Sequence, residues 1–168
     1  MSVLVFIETK GKISKAAKEA VTYGSKIGAT TVVTFGDADA AVLASIGDNG
    51  ATKVLVCRSL SEGNDQQLTK LIAAAANDCG ADVIIVSQDQ LGKAIAPRVA
   101  ANLEAGHVSG AIALPDTSSG FVVKTNVFSR KACANVSVNS SKKVISLLPN
   151  SVTLTFKSIH RVCNNSSR

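Results

Sequence analysis

Between Asp82 and Gly106 the sequence DVIIVSQDQLGKAIAPRVAANLEAG sets a β-branched run, a polar loop and a helical periodicity in immediate succession. Val83 to Val86 has no polar break, which suits a strand buried on both faces of a parallel sheet. The chain turns polar at Ser87, Gln88, Asp89 and Gln90. Beyond it Ile95, Val99 and Leu103 recur four apart, one face of a helix. Proline lacks an N–H and is tolerated in the first helical turn, so Pro97 places the helix start between Gly92 and Ala96. The free N–H groups of that start, with Lys93 and Arg98 nearby, fall just beyond the carboxyl end of a central strand, where open α/β sheets usually place ligands or partner contacts. Gly92, Lys93 and Arg98 are therefore candidates for an anion-binding or partner-facing loop. The alternative is that both cations only solvate the sheet edge.

The rest of the chain reads as scaffold. Val3 to Ile7 is an apolar, central first strand, with a turn at Glu8 to Gly11. Apolar and small residues from Ile13 to Tyr23, opposite lysines at 12, 15, 18 and 26, make an amphipathic surface helix. Ser14 could cap it without a capping box, and Gly28 ends it. Thr31 to Phe35 is the second strand, with Asp37 the N-cap of a helix running through Ile46. Val54 to Cys57 is the third strand and Asp65 to Asn77 the third helix. Four β-α units with short connections require parallel strands joined by right-handed crossovers.

Past Gly106 helices do not return. Val108 to Leu114 is a fifth strand ended by Pro115, and PDTSSG is a loop by composition. Phe121 to Phe128 and Ala132 to Val138 alternate apolar and polar residues around Ser129-Arg130-Lys131, an antiparallel hairpin at the sheet edge. Val144 to Leu148 adds one more strand. The expected fold is α/β, a mostly parallel sheet flanked by helices with a C-terminal antiparallel hairpin.

A chain of 168 residues with 46% hydrophobic and 18% charged residues has ample core for one domain, and its apolar runs are too short to span a membrane. Met1 is followed within two residues by the strand VLVFI, with no basic or Arg/Ser-rich presequence in view, so no targeting peptide is expected. The net charge of +6 is C-terminal: residues 1–116 hold 10 Lys/Arg against 12 Asp/Glu, and residues 117–168 hold 8 against none. These cations are spread out, with one Tyr and no Trp to stack on bases, which argues against nucleic acid as a partner. Cys57, Cys79, Cys133 and Cys163 have no CxxC or zinc spacing and read as reduced and mostly buried. His107 and His160 are isolated, each a surface or hydrogen-bonded residue, and no nucleophile triad can be assembled.

Cofactor fingerprints are missing too. ETKGKIS follows the first strand where a GxGxxG would stand, and Gly92-Lys93 lacks the rest of a Walker loop. Asp37 and Asp39 suit a helix start better than acid/base chemistry. The residues by themselves thus lead to a non-catalytic α/β domain that could bind a partner or a nucleotide.

The segments VLVFIETKGKISKAAKEAV, VVTFGDADAA and GATKVLV, then GKAIAPRVAANLEAGHVSGAIALP and GFVVKTNVFSRKACANVSV, resemble the N-terminal domain of the electron transfer flavoprotein alpha subunit over residues 1–150. The most specific part is Gly92-Lys93 followed by Pro97-Arg98-Val99-Ala100-Ala101. The resemblance implies a Rossmann-like, adenine nucleotide alpha hydrolase-like fold and a heterodimer with a beta subunit. It also implies FAD in the complete heterodimer and electron transfer from flavin-dependent dehydrogenases to a membrane-bound quinone oxidoreductase. In the family FAD sits mainly in a second, C-terminal domain, whose glycine-rich and QTG segments do not occur here. The chain is therefore expected to be truncated before that domain, and to purify alone without FAD. A YAGN segment of many relatives is replaced by Arg130-Lys131-Ala132-Cys133, which puts that contact in doubt and leaves Arg130 as a further candidate. Residues 151–168, polar and basic, are expected to be disordered. The location implied is the bacterial cytoplasm or the mitochondrial matrix. The alternative function is a free-standing nucleotide-binding or regulatory domain of the universal stress protein type.

Overall fold

The structure is a computed structural model, and it describes residues 1–9, 12–60, 63–118 and 120–154. The first four strands, β1 (Ser2–Phe6), β2 (Ala29–Phe35), β3 (Lys53–Cys57) and β4 (Val83–Ser87), alternate with α1 (Lys15–Ile27), α2 (Ala40–Asp48), α3 (Asp65–Asp78) and α4 (Gln90–Asn102). Then come β5 (Gly106–Ala111), β6 (Val122–Val127), β7 (Ala132–Ser137) and β8 (Lys143–Leu147). All join one eight-stranded sheet in the order β3-β2-β1-β4-β8-β5-β6-β7. The strands from β3 to β5 in that order run parallel, and β6 and β7 are antiparallel.

Period-two alternation divides the central strands between two cores. Val3, Val5, Ile7, Val83 and Ile85 pack with Ala17, Val21 and Tyr23 of α1 on one side. Leu4, Phe6, Ile84 and Val86 pack with Leu68 and Ile72 of α3 and Ile95 and Val99 of α4 on the other. Both faces of β1 and β4 are thus dry, as their unbroken apolar runs require.

Local signals set most helix starts. The Ser14 hydroxyl accepts from the Ala17 N–H at 3.1 Å, and Asn64 and Gln67 form a reciprocal capping box on α3. Two expectations need correction. Asp39, not Asp37, is the N-cap of α2, and its side chain makes no capping hydrogen bond. Helix α4 begins at Gln90, so Pro97 stands about two turns inside it. The Asp89 carboxylate, accepting from the Gly92 N–H at 2.7 Å, starts the helix early. Pro97 is tolerated because it and Lys93, whose carbonyl loses its helical donor, lie on the exposed side where water can serve.

The last parallel strand is inserted where linear reading does not put it: β8 lies between β4 and β5, pairing Ile85 with Ile145 and Val108 with Ile145. Strand β5 ends at Ala111, short of Leu114, because Gly110 at φ 73° makes a bulge against β8. The hairpin stands at the sheet edge as expected. Of the two phenylalanines that bound its first strand segment, Phe121 is buried with Val123 and Val138 against the α1-side core, whereas Phe128 is 80% exposed. The described cysteines are free, but not mostly buried: Cys57 and Cys79 are half-buried and Cys133 is exposed. Cys163 and His160, with residues 155–168 of the expected tail, lie outside the described residues.

Tyr23 ties α1 to the segment after β5. Its ring is fully buried and its hydroxyl donates to the Ala113 carbonyl at 2.9 Å. Burial holds the phenol above its usual 10.0. The unfolded chain therefore loses this proton first, and the contribution present below pH 10 declines as pH rises beyond it. Unfolding midpoints in urea between pH 8 and 11 are expected to fall steeply above 10. Tyr23→Phe is expected to cost about 1 kcal/mol at pH 7 and to flatten that fall; an equally steep fall in the variant would exclude Tyr23 as its source.

Candidate functional site

The direction of sheet growth reverses between β1, which passes to β2, and β4 on its other side. This is the topological switch point of an open α/β sheet, and ligands bind such sheets in the crevice beyond its carboxyl ends. A cleft of about 240 Å³ opens there, with Glu8, Lys12, Ser14, Ser87, Asp89 and Leu91 among its walls. The two helices following these strands begin at it, through their caps Ser14 and Asp89.

Its chemistry is not that of a phosphate cradle. The Asp89 carboxylate occupies the start of α4 and already takes the Gly92 N–H, so an approaching anion meets a negative charge where the helix dipole would welcome it. Glu8 adds a second carboxylate to the cleft, which Lys12 also lines. The Ser87 hydroxyl, on a residue 7% exposed, has no hydrogen-bond partner among the described residues.

The candidates from sequence do not converge here. Gly92 is buried, its α-carbon against the Ser87 carbonyl, so close that a methyl group there would overlap the oxygen. This glycine lets α4 lie on the end of β4. Lys93 and Arg98 are exposed farther along α4 and Arg130 is exposed at the hairpin turn. Lys12 and Ser14, which do line the cleft, are not among those candidates. Their signal was their place after the first strand, but only the pairing of β1 with β4 makes that loop a neighbour of residues 87–91.

Other polar groups are structural. His107 Nε2 lies 2.9 Å from Ser146 Oγ, and burial lowers its pKa below the usual 6.5. Among the described residues no cluster of His, Cys, Asp and Glu could hold a metal ion, and no helix is long and apolar enough to cross a membrane.

A doubly wound sheet with a cleft at its switch point defines the chain as a Rossmann-like α/β domain, and the described residues assemble no catalytic constellation. The family model of the electron transfer flavoprotein domain matches residues 3–161, and the chain belongs to that family, one of electron carriers and not of enzymes. No curated protein matches it.

The family name implies a flavin. Pockets for cofactors span roughly 300–1,000 Å³, so a cleft of about 240 Å³ is too small for a dinucleotide. Asp89 would also stand where the pyrophosphate must approach the helix. The residues of the cleft do not fit FAD.

Proposed function

We propose that the chain is the N-terminal domain of an alpha-type electron transfer flavoprotein subunit. It would pair with a beta-type subunit and serve flavin-dependent dehydrogenases through the complete complex, in the bacterial cytoplasm or the mitochondrial matrix. The family match over residues 3–161 carries the reading. The alpha assignment is supported by the order Gly92-Lys93, then Pro97-Arg98, then Ala100-Ala101, followed by the hairpin. FAD is held outside the described residues, and this domain supplies a rigid sheet and loop surface against which the flavin-bearing parts assemble.

The test is co-purification of the chain, expressed alone, with a purified beta-type subunit, together with a visible absorbance scan and titration with FAD. The expected result is a heterodimer and a colourless free chain that does not retain flavin through gel filtration. A stoichiometric yellow complex of the free chain, or no association with the beta-type subunit, would overturn the reading. The nucleotide-binding alternative meets the same carboxylate at Asp89. Saturable binding of AMP or ATP in calorimetry would favour it.

A further inference from the structure

Asn49-Gly50 is the one Asn-Gly pair in the chain, and it stands at the turn from α2 into β3. As local structure the pair is ordinary. Asn49 is the C-cap of α2, and Gly50, at φ 102° with its α-carbon against Ser25, is a position that only glycine fills. Chemically the pair is labile. A backbone nitrogen can close a five-membered ring on the side-chain amide of a preceding asparagine, and glycine has no side chain to hinder the closure.

The folded turn forbids it. Ring formation requires the Gly50 nitrogen to eclipse the Cα–Cβ bond of Asn49, whereas at ψ 3° it eclipses the bond from Asn49 Cα to its own nitrogen. The Gly50 N–H donates to the Gly47 carbonyl at 2.9 Å. Asn49 is 2% exposed, and its Nδ2 donates to the Ser45 carbonyl at 2.6 Å. Its Oδ1 is buried without a hydrogen-bond partner among the described residues, so no donor polarises the amide for attack.

The corner that holds the turn is itself weakly held. Ile46 is the only buried residue of α2, the Asp39 cap makes no side-chain bond, and the helix has neither an acid in its first turn nor a base in its last. Strand β3, which follows, is an end strand of the sheet and none of its residues is buried. Segments with so few buried apolar contacts open by themselves, at a fraction of the cost of global unfolding.

We propose that Asn49 is a deamidation site gated by the opening of α2 and the turn into β3, so that its conversion is an irreversible record that this corner has opened. In the open chain the Gly50 nitrogen gives its proton to water and bonds to Asn49 Cγ, the Cγ–Nδ2 bond breaks, and the amide nitrogen takes up a proton and leaves as ammonia. Water then opens the imide at one carbonyl or the other, leaving aspartate or isoaspartate. Neither product fits the closed corner. The new carboxylate would face the Ser45 carbonyl that the amide served, out of water, at the negative end of α2 and beside Asp48. Isoaspartate also adds a backbone carbon to a turn whose Thr52 is bonded to the Thr30 carbonyl through both its N–H and its hydroxyl, each at 2.8 Å.

The test follows deamidation in the full chain, alone in solution, beside a synthetic peptide of residues 44–54, by the mass change of NH2 to OH and by enzymatic methylation of isoaspartate. Asn49 should convert about a hundredfold or more slowly in the chain than in the peptide. Ile46→Ala should raise the rate in the chain about tenfold or more by loosening α2. Leu68→Ala, as fully buried but in the opposite core, should leave it within about twofold. Asn49→Asp, the product made directly, should speed exchange of the amides of residues 42–57 about tenfold and leave those of β4 unchanged. A rate in the chain like that of the peptide would overturn the gate. Equal acceleration by Ile46→Ala and Leu68→Ala would overturn it too, because the opening would then be global. Wild-type exchange in Asn49→Asp would show that the carboxylate fits the closed corner, and would overturn the record.

Discussion

Gly92→Ala is expected to cost the domain about 3 kcal/mol or more, the upper range for forcing a methyl group into a packed interior. The added carbon would meet the Ser87 carbonyl, a backbone atom of a strand whose residues are all buried. Neither side can give way cheaply. Strand β4 is held by β1 and β8, and α4 packs Ile95, Ala96 and Val99 against the sheet. Urea unfolding of the isolated chain measures the loss, with Ala94→Gly as a comparison for propensity alone, expected at about 1 kcal/mol. If Gly92→Ala unfolds within about 0.5 kcal/mol of wild type, the close approach of α4 to the end of β4 is wrong. The same substitution separates two roles for this glycine. One whose purpose is phosphate binding would tolerate a methyl group without loss of stability, whereas one that sets a helix on a strand would not.

Glu19→Ala is expected to cost about 3 kcal/mol, because the carboxylate is buried and bonded in a way its absence leaves uncompensated. Glu19 is 1% exposed on α1. One oxygen accepts the Asn150 N–H at 2.7 Å, and the other lies 3.7 Å from Lys15 Nζ, which in turn donates to Asn150 Oδ1 at 2.9 Å. Asn150 is left-handed at φ 63°, so the chain leaving β8 turns where this group holds it. Lys15 is mostly exposed, and its charge contributes little. The loss therefore falls on the unsatisfied Asn150 amide and the space left behind. Glu19→Gln keeps an acceptor and the volume and should cost about 1 kcal/mol. Equal losses in the two variants would mean that the carboxylate does not hold this turn. Faster exchange of the Asn150 amide in Glu19→Ala, with the β4 amides unchanged, would locate the effect at the exit from β8.

The sequence by itself determined the elements and the class of sheet. Val83 to Val86 and Val3 to Ile7 are legible as doubly buried strands because a side chain on either face of a central strand meets a helix, so neither face admits a polar residue. The hairpin was legible because one buried face imposes period two, and Phe121 to Val138 shows it. Ser14 was legible as a cap because capping is settled within three residues. What failed locally were contests between short signals. Pro97 argued for a late helix start and the Asp89 carboxylate for an early one, and the cap prevailed because a proline on a wet face leaves its orphaned carbonyl to water.

Only the tertiary structure decided which ends of these elements meet. Placing β8 between β4 and β5, pairing β1 with β4 so that Lys12 and Ser14 share a cleft with Asp89, and burying Glu19 under Asn150 are all contacts between residues far apart in the chain. Hydrophobic periodicity states that a face is buried, not what buries it, since apolar burial is non-directional. The same pattern in Val144 to Leu148 would serve an edge strand or an inserted one. The choice is made by the packing of α4 and the hairpin around it, which no local stretch encodes.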